Sequence, residues 1–164
     1  RHKDFWQITE DSLDKSMKIF NIDKEMKGEL LDLYKILSTF PEVKDVLNNL
    51  KKKDYKLSIL SNGTPSLLKE LVKSNNIDIF DDIFSIEEVG IYKPDSKVYD
   101  IPIKKYKIQK DEVVFLSSNT WDVSGGGNYG YNAIWVNRNN SIFDILDYSP
   151  IKEVKNLNQL LDIL

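Results

Sequence analysis

The chain has 164 residues, 41% apolar and 30% charged, with a net charge of −3, which suits one globular domain with a real core, or a core plus a small appendage. The acidic balance argues against a nucleic-acid surface or a polybasic membrane anchor, and no apolar run approaches the roughly 20 residues of a spanning helix. There are no cysteines and a single histidine, His2, so disulfides, thiolate catalysis, His-based triads and multi-His metal sites are excluded for these residues.

Residues 4–20 predict a helix, because Phe5, Trp6, Ile8, Leu13, Met17 and Phe20 recur at three- and four-residue steps. Thr9 followed by Glu10 and Asp11 has the make-up of a helix restart. Asp23 suits the cap of a second helix to about Ser38, with Met26, Leu30, Leu33, Tyr34 and Leu37 on one face. Pro41 suits the first position of a third helix, whose apolar face is Val43, Val46, Leu47 and Leu50. Lys51, Lys52 and Lys53 then fall at its C-terminal end, where positive charge is favoured.

From residue 55 strands and helices alternate. Strand 56–60 leads to Thr64, a good N-cap, and Pro65, a good first helical residue. Strand 83–86 leads to a loop, 87–95, holding Gly90, Lys93 and Pro94. Helix 96–106 and strand 113–117 follow, then a Gly-rich helix, strand 133–136, a short strand 151–154 and a closing helix 156–163. This alternation predicts an α/β fold with a parallel sheet covered on both faces. The boundary falls near Phe40–Pro41, between a helical piece, 1–40, and an α/β piece, 41–164.

Chemistry is expected at the strand tips, since ligands of open α/β sheets bind outside the carboxyl ends of the strands. Ser61, Asn62 and Gly63 offer a hydroxyl, an amide and a flexible backbone beside a helix N-terminus; they read as an anion cradle or as a plain capping turn. Lys93 precedes Pro94, which stiffens the loop, and a fixed lysine suits a carboxylate or phosphate. Tyr99 is six residues on. The second tip carries Ser117, Ser118, Asn119 and Asp122, polar groups that are costly to bury without partners. Asp122 either orients Lys93 or caps the next helix, and Trp121 is apolar enough to wall a small pocket.

In order, Leu57-Ser-Ile-Leu-Ser-Asn-Gly-Thr-Pro65, Val89-Gly-Ile-Tyr-Lys-Pro-Asp95 with Val98-Tyr99, and Phe115-Leu-Ser-Ser-Asn-Thr-Trp-Asp122 closely resemble the (S)-2-haloacid dehalogenases of the haloacid dehalogenase superfamily. Asp4 to Thr9 and Val136-Asn137-Arg138 fit the same subgroup. The resemblance implies a Rossmann-like core with a remnant of a helical cap. It implies a hydrolase in which an Asp nucleophile displaces halide from a small 2-haloacid, forming an ester that water hydrolyses. By resemblance, Ser61 and Asn62 bind the substrate carboxylate. Lys93 pairs with the nucleophile, with Tyr99 beside it. Ser117, Asn119 and Asp122 position nucleophile and water, and Trp121 with Phe5 walls the halogen pocket. No cofactor is implied: Asp122 is the one acid at this tip, and Mg²⁺ sites of phosphatase relatives need more negative charge. Neither a nucleic-acid nor a membrane partner is implied, the absence of cysteine is compatible with a cytoplasmic protein, and the apolar stripe of 1–40 suits a homodimer.

The family's nucleophile stands in an Asp-x-Tyr-Gly-Thr-like segment on a first, central strand, and these residues contain no such segment. That strand would lie between the strands ending at Leu60 and Ser117. Pro102 inside a helix costs roughly 3 kcal/mol, and Gly126 and Gly127 roughly 1 kcal/mol each. The expectation is therefore a truncated, inactive dehalogenase chain, or a non-catalytic module that binds small carboxylates; a Mg²⁺-dependent phosphatase is the remaining alternative.

Overall fold

A computed structural model describes residues 3–164; His2 and Arg1 lie outside the described residues. Two helices come first. Helix α1, Phe5–Phe20, is capped by Asp4, whose carboxylate accepts the Gln7 N–H. It runs unbroken through Thr9, whose hydroxyl donates to the Phe5 carbonyl, so the expected restart there does not occur. Asp23 caps a short 3-10 turn, Lys24–Met26, rather than the long helix expected. Helix α2, Lys27–Leu33, stops five residues short of Ser38, and Ile19, Phe20, Leu33, Ile36, Leu37 and Phe40 are exposed.

Helix α3, Val43–Lys52, starts two residues after Pro41, and its apolar Val46, Leu47 and Leu50 are buried as the periodicity requires. The alternating part follows: β1 Ser58–Ser61, α4 Pro65–Ser74, β2 Asp82–Ser85, α5 Ser96–Tyr106, β3 Val114–Ser117, α6 Thr120–Tyr129, β4 Asn132–Val136 and β5 Lys152–Val154. The closing helix expected at 156–163 is present as a 3-10 helix, Leu157–Asp162. No helix among the described residues is long and apolar enough to cross a membrane.

The strands form two parallel sheets, β1-β2 and β3-β4-β5. Among the described residues β1 pairs only with β2, and β3 is paired only on its β4 side. The consequence shows in burial. Ala133 to Val136 of β4 are buried, whereas Val114, Phe115 and Leu116 of β3 and Ile59 and Leu60 of β1 are only half-buried. Period two sorts the larger sheet cleanly. Ile134 and Val136 pack with Val114 and Leu116 against Val154 and Leu160 on one face. Ala133 and Trp135 pack with Phe115 against Val123 of α6 on the other. Phe84, Ile86, Val98 and Ile101 form the core under the smaller sheet, joining β2 to α5.

The α6 glycines have a packing reason that helix propensity does not show. Pro102 is buried in α5. A Cβ on Gly126 would stand 2.7 Å from the Phe115 ring, and one on Gly127 2.2 Å from Tyr148. These glycines let α6 lie directly on β3 and on the loop after β4. Gly130 closes α6 at φ 118°, a conformation suited to glycine.

Candidate active site

The tips of β1 and β3 share one local design. Ser61 Oγ accepts the Gly63 N–H at 3.0 Å, and Ser117 Oγ accepts the Asn119 N–H at 3.2 Å. A hydroxyl that bonds the amide two residues on turns the chain out of the strand. Each turn leads into a helix, α4 or α6, whose N-terminus favours negative charge. Thr64 occupies the N-cap position of α4, but its side chain makes no capping bond.

The loop carrying Lys93 docks on the first tip. Asn62 Oδ1 accepts the Lys93 N–H at 3.2 Å, and Ser85 Oγ donates to the Gly63 carbonyl at 2.7 Å. Asp95 then caps α5 through the Lys97 N–H. The lysine side chain crosses to the second tip, where Nζ lies 3.1 Å from Asp122 Oδ2. Both side chains are deeply buried, 6% and 7% exposed. The Tyr99 hydroxyl donates to the other oxygen, Oδ1, at 2.8 Å. Asp122 is thus a partner of Lys93 rather than a cap; it lies inside the first turn of α6.

Burial pushes the Lys93 amine below its ordinary value, although the Asp122 carboxylate pulls the other way. Burial, and then the Asp122 charge, push the Tyr99 phenol well up, so it stays a proton donor. The Lys93 ammonium also lies 5.0 Å from the Phe115 ring centroid, within cation–π range. Gly125 permits the arrangement: a Cβ there would meet Tyr99 Oη at 2.5 Å and Pro94 Cβ at 2.7 Å.

Trp121 is 41% exposed. With Phe40, Trp135 and Arg138 it lines an open cavity of about 460 Å³ that also takes in Ser118 and Asn119. The Arg138 guanidinium lies 3.7 Å from the Phe40 ring centroid and pairs with Glu42 at 2.7 Å. Phe5 is not among the residues lining that cavity; it opens α1, whose approach is tied to the Lys93 loop by a Tyr92 hydroxyl bond to the Lys3 carbonyl.

The structure therefore brings Lys93, Tyr99 and Asp122 into direct contact and links Asn62 to them through the backbone. Ser61, Ser117 and Asn119 sit at the two tips, and Trp121 stands beside the second. Sequence reading missed Phe115, which looked like plain core within an apolar run. The resemblance marked Gly125 as a favoured glycine, but not its contact with Tyr99 and Pro94, which depends on a neighbouring helix and loop.

The haloacid dehalogenase-like hydrolase family matches this chain over residues 2–136. (S)-2-haloacid dehalogenase 4A of Burkholderia cepacia is 32% identical over 168 residues, covering all of this chain and 72% of the relative. (S)-2-haloacid dehalogenase 1 of Pseudomonas sp. strain CBS-3 is 36% identical over 143 residues, covering 85% of this chain and 63% of the relative. The crystal structure of an L-2-haloacid dehalogenase superposes with a TM-score of 0.95 at 31% identity, over 99% of this chain and 73% of that one. Sequence and fold agree along nearly the whole chain, and the chain belongs to the haloacid dehalogenase-like hydrolase family.

Proposed function

We propose that these residues form the substrate-holding part of a hydrolytic 2-haloacid dehalogenase site. The observation that carries the reading is the buried Lys93–Asp122–Tyr99 cluster, in which a lysine from the loop docked on the β1 tip reaches the β3 tip. In such a reaction a carboxylate oxygen attacks C2 of the acid, and halide leaves with the bonding electrons. Water then adds to the resulting ester, releasing the 2-hydroxyacid and restoring the carboxylate.

Asp122 is a poor nucleophile, because both its oxygens are already engaged by Lys93 and Tyr99. In this reading the nucleophilic carboxylate belongs to a strand between β1 and β3, each paired on one side only among the described residues. Lys93 then supplies positive charge beside it. The Ser61 hydroxyl and Asn62 amide hold the substrate carboxylate at the N-terminus of α4. Ser117, Asn119 and Asp122 orient nucleophile and water, and Trp121 with Phe5 walls the apolar side of the substrate. Residues 1–40 act as a cap unit on the 41–164 core, and their exposed apolar side chains suit pairing with a second copy. A monomeric sedimentation mass would count against that pairing.

The test is calorimetric titration of the chain with (S)-2-chloropropionate and with lactate, with halide release followed in parallel. Binding of both acids, weakened at least tenfold by Asn62→Ala, is the expected result. Binding without halide release fits a chain that holds the acid and takes its nucleophile from elsewhere. Failure to bind either acid would overturn the reading.

A further inference from the structure

Pro102 lies in the interior of α5, one turn after Tyr99. It has no N–H, so the Val98 carbonyl four residues back lacks its helical donor, and the ring crowds that carbonyl. The loosened turn is the one that carries Tyr99. There the Tyr99 carbonyl accepts a hydrogen bond from the phenol of Tyr131, which reaches across from the residue before β4. Tyr131 is 3% exposed, and its ring stands edge-on to the Tyr99 ring with centroids 6.0 Å apart. A second phenol acts beside it: Tyr129 Oη donates to Asp100 Oδ1 at 2.5 Å. Two tyrosines from the α6–β4 corner thus clip the backbone of residue 99 and the side chain of residue 100.

We propose that Tyr131 is a positioning residue for this site. Its hydroxyl, bonded to the Tyr99 carbonyl in the turn that Pro102 loosens, fixes α5 so that the Tyr99 hydroxyl stays on Asp122 and Asp122 stays on Lys93. The proposal rests on the reading of the Lys93–Tyr99–Asp122 cluster given above. A tyrosine that merely filled the core would act through its ring alone, and phenylalanine would replace it without effect on Lys93.

The experiment follows the Lys93 side-chain amine by NMR against pH in the full chain, without ligand. Tyr131→Phe keeps the ring and removes the donor. With the Tyr99 hydroxyl displaced, Asp122 gives its charge undivided to Lys93, and the Lys93 midpoint rises. Tyr99→Phe gives the same rise, and Tyr99→Phe with Tyr131→Phe gives no more than either alone. Pro102→Ala restores the missing N–H, so adding it to Tyr131→Phe returns the midpoint to that of Pro102→Ala alone; should Tyr131→Phe alone fail to fold, the pair is compared with Pro102→Ala, and a difference between their midpoints overturns the proposal. An unchanged midpoint in Tyr131→Phe, or a rise that Pro102→Ala fails to reverse, would overturn the proposal. Failure of the wild-type chain to bind 2-chloropropionate would instead count against the proposed function, since the midpoint is read without ligand.

Discussion

Lys93 and Asp122 form an ion pair, Nζ to Oδ2 3.1 Å, whose side chains are only 6% and 7% exposed. Two charges this deep have each lost most of their water, and their mutual attraction must offset that loss. Removing one partner strands the other. Asp122→Asn leaves a buried ammonium without a counter-charge and is expected to destabilise the chain by about 3–5 kcal/mol. Lys93→Met keeps most of the buried stem and leaves Asp122 with the Tyr99 hydroxyl, so its cost is smaller. The double variant should cost less than the sum of the two, read from urea midpoints at unchanged slope.

The same pair sets the alkaline behaviour. Burial holds the Lys93 amine below its ordinary 10.5. Between that lowered value and 10.5 the unfolded chain carries the lysine proton and the folded chain does not. Stability therefore rises with pH across this window. Tyr99 acts in the opposite sense: its phenol is pushed up from 10.0, so above about pH 10 the unfolded chain releases a proton that the folded chain keeps, and stability falls. Urea midpoints should climb towards pH 10 and then turn down, and Lys93→Met should lose the climbing limb while keeping the fall.

Much of this was legible in the sequence, for reasons that differ by element. Helix α5 matches its expected span, Ser96–Tyr106, and the strands match to within two residues at either end, because short apolar runs between polar turns leave little choice. The second helix was overextended. Tyr34 and Leu37 continue the apolar period, but both are exposed and find no core to support a longer helix. Pro102 and the α6 glycines looked unfavourable because propensity sees only the local chain. The reason for the glycines is tertiary: Phe115, Tyr148 and Tyr99 occupy the space where side chains would stand. In the candidate site, the polar residues of both tips were visible as costly groups to bury, and motif order tied them together. Tyr131 was invisible, since its hydroxyl serves a carbonyl 32 residues away.

Gly125 and Gly28 should respond in opposite directions to the same change. A Cβ at Gly125 would fall 2.5 Å from Tyr99 Oη and 2.7 Å from Pro94 Cβ, and the proline cannot swing aside. Gly125→Ala should destabilise by about 1–3 kcal/mol and displace Tyr99 from Asp122. At Gly28, in α2, nothing lies within 4 Å of a new Cβ. Gly28→Ala should stabilise by roughly 0.5–1 kcal/mol through helix propensity alone. Thermal midpoints of the two variants give the comparison directly, and a loss at Gly28 would show that α2 needs glycine for a contact the fold does not display.

The last prediction concerns the strand of chain that joins the two helices α1 and α2 to the core. Asn75, at the C-terminal end of α4, holds that connection as a backbone neighbour would. Its Nδ2 donates to the Leu37 carbonyl at 2.8 Å and its Oδ1 accepts the Thr39 N–H at 2.8 Å. One amide side chain thus satisfies a donor and an acceptor of a segment that has no regular structure of its own, and those groups would otherwise be left to water. Just downstream, Arg138 covers the Phe40 ring and pairs with Glu42, so the connection is held at two successive points. Asn75→Ala removes the first. The amide also donates to the Leu71 carbonyl at 2.9 Å, so the expected cost is about 2–3 kcal/mol for three net hydrogen bonds, with hydrogen exchange accelerated at Thr39 and its neighbours while Ile134 and Val136 in the centre of the larger sheet keep their protection. Asn75→Asp tests the geometry: it retains the acceptor for Thr39 and loses the donor to Leu37, so its exchange at Thr39 should fall between wild type and Asn75→Ala. Equal exchange in all three would mean that Arg138 and Phe40 hold the connection without Asn75.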